Sequence, residues 1–154
     1  MEKVIDVIKT SRRNFIKLID GLSLDTLNEI PAGFNNNLVW HLGHLVASQQ
    51  ILCYQFANQK PLIEEKYILK YKNGTKPEAY IDQGEFDILK NYFTTLIDQL
   101  EKDLSTHLFD NYNSYVSPTY GIEIRNITDV VKYVSFHEGF HLGYATAIRR
   151  LVRK

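Results

Sequence analysis

Four stretches of this 154-residue chain repeat apolar residues every three or four positions. That is the period of a helix with one buried face. The first runs from about Glu2 to Leu22, with Val4, Ile8, Phe15, Leu18 and Leu22 in register and Gly21 as a stop signal. The second runs from about Asn37 to Asn58, led by Pro31, Gly33 and the asparagines Asn35, Asn36 and Asn37. Asparagine is a favoured N-cap. The third runs from about Gly84 to Phe109 along Phe86, Leu89, Phe93, Leu96, Leu100, Leu104 and Leu108. The fourth runs from about Ile127 to Val152, capped by Asn126 or Thr128, with Val130, Val134, His137, His141, Ala145, Ile148 and Val152 in its stripe. Four such helices hide their faces most simply around one core, so the expected fold is an all-α four-helix bundle.

Two longer connections remain. Residues 59–83 hold Pro61, Gly74, Pro77 and a short helical stretch near Leu62–Leu69, and are long enough to cross a bundle. Residues 110–126 hold Tyr112, Tyr115, Pro118, Tyr120 and Gly121, with a short extended piece between Val116 and Ile124. The length suits one domain over residues 1–154.

Charge narrows the function classes. Eighteen Lys and Arg balance eighteen Asp and Glu, so the net charge is zero with the histidines neutral. Nucleic-acid binding leans on a basic excess that is missing here. The one basic cluster, Arg149, Arg150, Arg153 and Lys154, reads as cations at the negative end of a terminal helix. Cys53 stands alone, so it forms no internal disulfide and fits a reducing compartment. It reads as a small buried hydrophobe. Met1-Glu2-Lys3 opens into a mixed-charge segment without a signal-peptide core, and no apolar stretch approaches membrane-spanning length. The expected location is the cytoplasm, with no membrane partner.

Four of the five histidines fall in two short clusters. His41 and His44 lie in Trp40-His41-Leu42-Gly43-His44-Leu45, and His137 and His141 in His137-Glu138-Gly139-Phe140-His141-Leu142-Gly143. Only His107 stands apart. His137 and His141 are four apart, so they project from one helix face and can grip one ion. They also occupy the core-facing stripe, where each buried ring nitrogen needs a partner and a metal can be one.

Two metalloenzyme patterns fit poorly. A zinc protease of the His-Glu-x-x-His type commonly takes its third ligand downstream, yet none of the thirteen residues after His141 is His, Asp, Glu or Cys. A di-iron carboxylate bundle needs two Glu-x-x-His pairs, and Glu138 with His141 is the single one here. What remains is a mononuclear three-histidine site whose third ligand comes from the second helix. His41 and His44 differ by about 60° around that helix. Periodicity does not choose between them.

The asparagine-rich lead and Trp40-His41-Leu42-Gly43-His44-Leu45 resemble the first histidine motif of the DinB-like (YfiT-like) family. His137-Glu138-Gly139-Phe140-His141-Leu142-Gly143 resembles its second. The likeness in length, helix order and motif placement covers nearly the whole chain. It implies an up-down-down-up bundle and a divalent metal held by His44, His137 and His141, with His41 as a neighbour. One departure is Tyr144, where family members often have Gln. The family includes thiol-dependent transferases and isomerases, and its members are often homodimers.

Three neutral histidines with an open position describe a catalytic rather than a structural site. Imidazoles suit zinc or nickel first, with iron, copper or manganese as alternatives. With such a site, the resemblance implies a metal-dependent enzyme of the thiol-transferase type, or a hydrolase through metal-bound water, acting on a small-molecule substrate with a low-molecular-weight thiol. The alternative is a non-catalytic metal-binding or stress-response bundle. Glu138 sits about 100° round the helix from His137. It reads foremost as an inter-helix hydrogen-bonding group, and less readily as a general base. His41 is the other candidate for a catalytic role. Tyr112, Tyr115 and Tyr120 read foremost as cover for the bundle end or a dimer surface, with a roof over the site as the sharper reading.

Overall fold

The computed structural model describes residues 1–152. Four long helices carry the fold: α1 (Glu2–Ile19), α3 (Leu38–Cys53), α5 (Gln83–Asp103) and α6 (Ile127–Val152). Between them lie the short helices α2 (Leu24–Asn28) and α4 (Glu65–Tyr71), and a hairpin of β1 (Tyr115–Val116) and β2 (Glu123–Ile124). The hairpin pairs Tyr115 with Ile124 and Val116 with Glu123. No helix among the described residues is long and apolar enough to cross a membrane.

Local chemistry sets the boundaries. α1 stops three residues short of its expected end, because Asp20 turns extended and Gly21 takes φ +72°. Ser23 then accepts a hydrogen bond from the Thr26 amide and starts α2, which is too short to show a period. Asn37 caps α3 by accepting from the Trp40 amide at 2.8 Å. α3 ends at Cys53, and one 3-10 turn, Gln55–Ala57, carries the chain to Asn58 in the left-handed region, φ 58°. α5 starts on Asp82, whose carboxylate accepts from the Glu85 amide. It ends six residues before its expected end at Phe109, although the apolar stripe continues to Leu108. The Ser105 and Thr106 hydroxyls donate to the Lys102 and Asp103 carbonyls there, competing with the helical ladder. Asn126, not Thr128, caps α6, accepting from the Asp129 amide at 3.0 Å. Arg149 and Arg150 fall in the last turn of α6, where cations meet the negative helix end. Arg153 and Lys154 of the same cluster lie outside the described residues.

α1 and α3 each pack against both α5 and α6. α3 is unlike the others: every one of its residues except Ile51 is buried. α4 covers the side that a four-helix arrangement alone would leave open.

The core divides into two apolar clusters. One contains Phe15, Ile19, Leu38, Leu42, Leu89, Phe93, Ala145 and Ile148. The other contains Ile5, Ile8, Leu52, Ile97, Leu100, Val130 and Val134. As the chain runs, α1 and α6 pass from the second cluster to the first, whereas α3 and α5 pass from the first to the second. Along α1, Arg12 lies between the two, 2% exposed. Its Nε donates to Glu138 Oε1 of α6 at 2.8 Å and its Nη1 to the Phe93 carbonyl of α5 at 2.8 Å. Its Nη2 lies 2.6 Å from the same Glu138 oxygen and donates to Gln49 Oε1 of α3 at 2.9 Å. Gln49 in turn donates to the Leu96 carbonyl of α5 at 3.1 Å. One polar layer thus ties all four long helices.

A buried pair of this kind is costly to break from one side, because the remaining charge is stranded. Arg12→Ala is expected to cost about 3–5 kcal/mol in urea unfolding. Arg12→Met combined with Glu138→Leu removes both charges and should recover most of that loss. Equal losses in the single and double variants would show that the pair is not what holds the layer.

Candidate metal centre

His44 sits on α3, and His137 and His141 sit one turn apart on α6. Their ligand-capable nitrogens all lie within 4.8 Å of one another. His137 Nε2 is 3.3 Å from His44 Nε2 and 3.0 Å from His141 Nε2. Nitrogens about 2.0–2.1 Å from a tetrahedral zinc lie roughly 3.3 Å apart, so the spacing suits a shared ion.

Hydrogen bonding sets the tautomer of His44. Its Nδ1 is 2.8 Å from the Tyr71 carbonyl at the end of α4. A carbonyl only accepts, so Nδ1 carries the proton and Nε2 presents a lone pair. The Trp40 ring stacks on the His44 imidazole at 4.6 Å and 10°. Ser48 Oγ, one turn on, lies 3.3 Å from the same Nε2. A single proton on His137 Nε2 can serve only one of its two imidazole neighbours. A cation uses all three lone pairs at once, so this donor set fits a metal.

His41 stands behind this triad. Its Nδ1 is 2.8 Å from His141 Nδ1. With His141 Nε2 as a lone pair, the His141 proton sits on Nδ1 and is donated to His41. The His41 proton then sits on Nε2, which is buried without a partner. Spacing left His41 and His44 equivalent; the α4 carbonyl distinguishes them.

Burial keeps all four rings neutral near pH 7. Loss of solvation pushes His41 down to about 4, and the nearby His44 adds to the effect. It pushes His137 down to about 3, with His44 and His41 contributing. His44 is lowered by burial, against the opposing pull of the Tyr71 carbonyl. His141 is lowered by burial and then by the other three histidines. Neutral imidazoles are the form that binds metals.

Glu138 points into the polar layer rather than over the histidines. Burial pushes its carboxyl up from the ordinary range and Arg12 pulls it back. Cys53 is fully buried, and the same loss of solvation pushes its thiol up to about 12. His107 is exposed and pairs with Asp110 on the surface.

A cavity of about 340 Å³ opens over the three histidines. That lies within the range of small-molecule sites, about 300–1,000 Å³. His41 and Tyr144 line it as well. The tyrosines of residues 110–126 divide between two jobs. Tyr112 covers the bundle, donating to the Leu52 carbonyl at 2.9 Å. Tyr115 and Tyr120 line the cavity, so this connection roofs the site. Tyr133 is a lining residue that sequence reasoning passed over. Its ring lies over His137 at 6.0 Å and 14°, and its hydroxyl is 2.9 Å from that of Ser117. It precedes His137 by four residues, so helical spacing alone would have placed it on the same face.

The glycine of the first motif has a steric cause. A Cβ on Gly43 would lie 2.5–2.7 Å from ring atoms of Tyr71. Gly43 therefore lets α4 approach closely enough for the Tyr71 carbonyl to reach His44. Gly139 and Gly143 of the second motif face open space.

Residues 8–145 match the DinB superfamily, and the chain belongs to it. No curated protein matches the chain. A solved structure, the conserved protein of a locus from Enterococcus faecalis, is similar in fold. It is 15% identical with a TM-score of 0.64, over 98% of this chain and 95% of that one.

Gly43→Ala is expected to push α4 away and break the bond that orients His44. Urea unfolding should show a loss of about 1–3 kcal/mol from overpacking. A competition titration should show metal affinity falling by about 10–100-fold, as for other lost ligand-orienting partners. Gly139→Ala, with nothing to displace, should leave metal affinity unchanged. Retained affinity in Gly43→Ala would remove Tyr71 from the centre.

Proposed function

We propose that this chain is a metal-dependent enzyme of the thiol-transferase type, with His44, His137 and His141 holding one divalent ion. The observation that carries this reading is the convergence of three neutral imidazole nitrogens beneath an open cavity. Zinc or nickel suits this all-nitrogen donor set best, with iron, copper or manganese as alternatives. When bound, such an ion supplies Lewis-acid chemistry, lowering the pKa of a coordinated thiol or water. The chain's own residues do the rest. The Tyr71 carbonyl and His41 hold the ligand rings in orientation. Tyr115 and Tyr120 limit access of solvent from above. The Ser117 and Tyr133 hydroxyls offer hydrogen bonds to a substrate's polar atoms. Hydrolysis of a small ester or amide is the variant reading, because the same cavity admits water.

Untagged protein is expected to purify with one metal per chain. Chelation should lower its Tm, since an ion bound only by the folded state stabilises it. His44→Ala, His137→Ala and His141→Ala should each lose the metal, whereas His41→Ala should keep it. Metal retained in His44→Ala and lost in His41→Ala would move the α3 ligand to His41. Metal-free wild type whose Tm ignores a chelator would end the metal-centre reading.

We also propose a homodimer through α6. Phe136, Phe140, Tyr144 and Leu151 are 50%, 45%, 43% and 56% exposed and follow one another at helical spacing, with Phe140 and Tyr144 reaching the surface from the rim of the cavity. Apolar strips of this kind mark interaction surfaces. Light scattering should give twice the 17.9 kDa chain mass. Gly143→Glu, beside the open space on that face, should give the monomer mass; a monomeric wild type would refute the assembly.

A further inference from the structure

The cavity over the histidines has no formal charge in its walls. None of its lining residues, among the described residues, is Asp, Glu, Lys or Arg. Its polar groups are neutral, among them the hydroxyls of Ser48, Ser117 and Tyr133. The buried Arg12 and Glu138 close on each other and line none of it. The apolar walls are largely rings that already brace one another. Tyr120 meets Phe140 edge-on at 6.0 Å and 78°, and Phe140 leans on Tyr144 at 5.9 Å. At the mouth, Tyr144 packs edge-on against Phe34 at 5.3 Å and tilts over His41 at 5.5 Å.

We infer that this site takes a small molecule with an uncharged, ring-bearing body and a single anionic donor atom, and disfavours thiols that carry several ionised groups. The inference rests on the metal-centre reading and narrows its substrate. Three neutral imidazoles leave the charge of a divalent ion uncompensated, so one anionic atom is welcome beside it. A second ionised group entering the walls gives up water and meets no opposite charge. A cationic body is repelled by the ion. A ring gains apolar contact and edge-to-face partners without reorganising the walls. Tyr144 contributes directly: it fills the mouth with a ring rather than with a residue able to pair with a carboxylate.

Isothermal titration of the zinc-loaded protein with three thiols tests this. Phenylmethanethiol is neutral apart from its thiol and carries a ring. Glutathione is larger and carries several ionised groups. 2-Mercaptoethanol is neutral and has no ring. Phenylmethanethiol is expected to bind tighter than either by about tenfold or more. Phe140→Ala should cost that ligand about tenfold while leaving zinc content unchanged. Glutathione binding as tightly as phenylmethanethiol would overturn the charge argument, and 2-mercaptoethanol doing so would overturn the ring argument. No thiol binding to protein that holds stoichiometric zinc would overturn the inference alone. Failure to take up zinc, read beforehand by metal analysis, would overturn the metal-centre reading and this inference with it.

Discussion

One buried guanidinium sets the rotation of both histidine-bearing helices. Arg12 reaches Glu138, the residue after His137 on α6, and Gln49, five residues past His44 on α3. On α6, Glu138 is held inward toward Arg12, so His137, about 100° round the helix, and His141, about 60° round it on the same side, face the cavity. On α3, Gln49 is fixed from two sides, by Arg12 and by the Leu96 carbonyl. An apolar core could slide or turn at small cost, because hydrophobic burial is non-directional. Directional bonds to one planar fork cannot. The 3.0 and 3.3 Å spacings between imidazole nitrogens on different turns and different helices therefore depend on a residue that lies outside the cavity.

The layer also explains a cost carried within the core. Glu138 Oε2 is buried without a partner, although Oε1 receives two contacts from Arg12. Replacing the pair with apolar residues would remove that penalty, but would also remove the element that registers α6 against α1 and α3. Fixed side-chain direction is what a preorganised centre needs. A buried charge pair is a poor source of stability and a good source of geometry here.

The four long helices were legible because each carries an apolar stripe with a 3.6-residue period, and all seven stripe positions proposed for α6 are buried. The ends were less legible. Hydroxyls at Ser105 and Thr106 stop α5 while its leucine stripe continues, and the left-handed Asn58 sits where the second helix was expected to end. α3 reads as one-faced in sequence yet is enclosed, because α4 and the roof come from segments with little period of their own. The paired histidines were legible from spacing. That His44 converges with His137 and His141 was implied by the family resemblance and not by spacing; its ring is oriented by the Tyr71 carbonyl, which lies 27 residues away in sequence. Arg12 left a trace that was passed over: it falls between Ile8 and Phe15, at the spacing of the buried stripe, where an apolar residue is expected.

The balance of charge across the molecule takes on a different meaning at this scale. The chain totals zero, and it does so with no charged side chain among those lining the cavity. Glu138 is the acid nearest in sequence to a metal-binding candidate, and its charge is answered by Arg12. Had Glu138 faced the histidines, it would have offset part of an ion's charge and competed with a substrate for it. Turned inward, it leaves a donor set of three neutral nitrogens. Bound cations dominate their local field, and that field weakens least where surrounding groups are neutral and water is scarce. The inward turn of Glu138 and the uncharged walls thus act in the same direction, keeping any ion at this centre electron-poor on its open side.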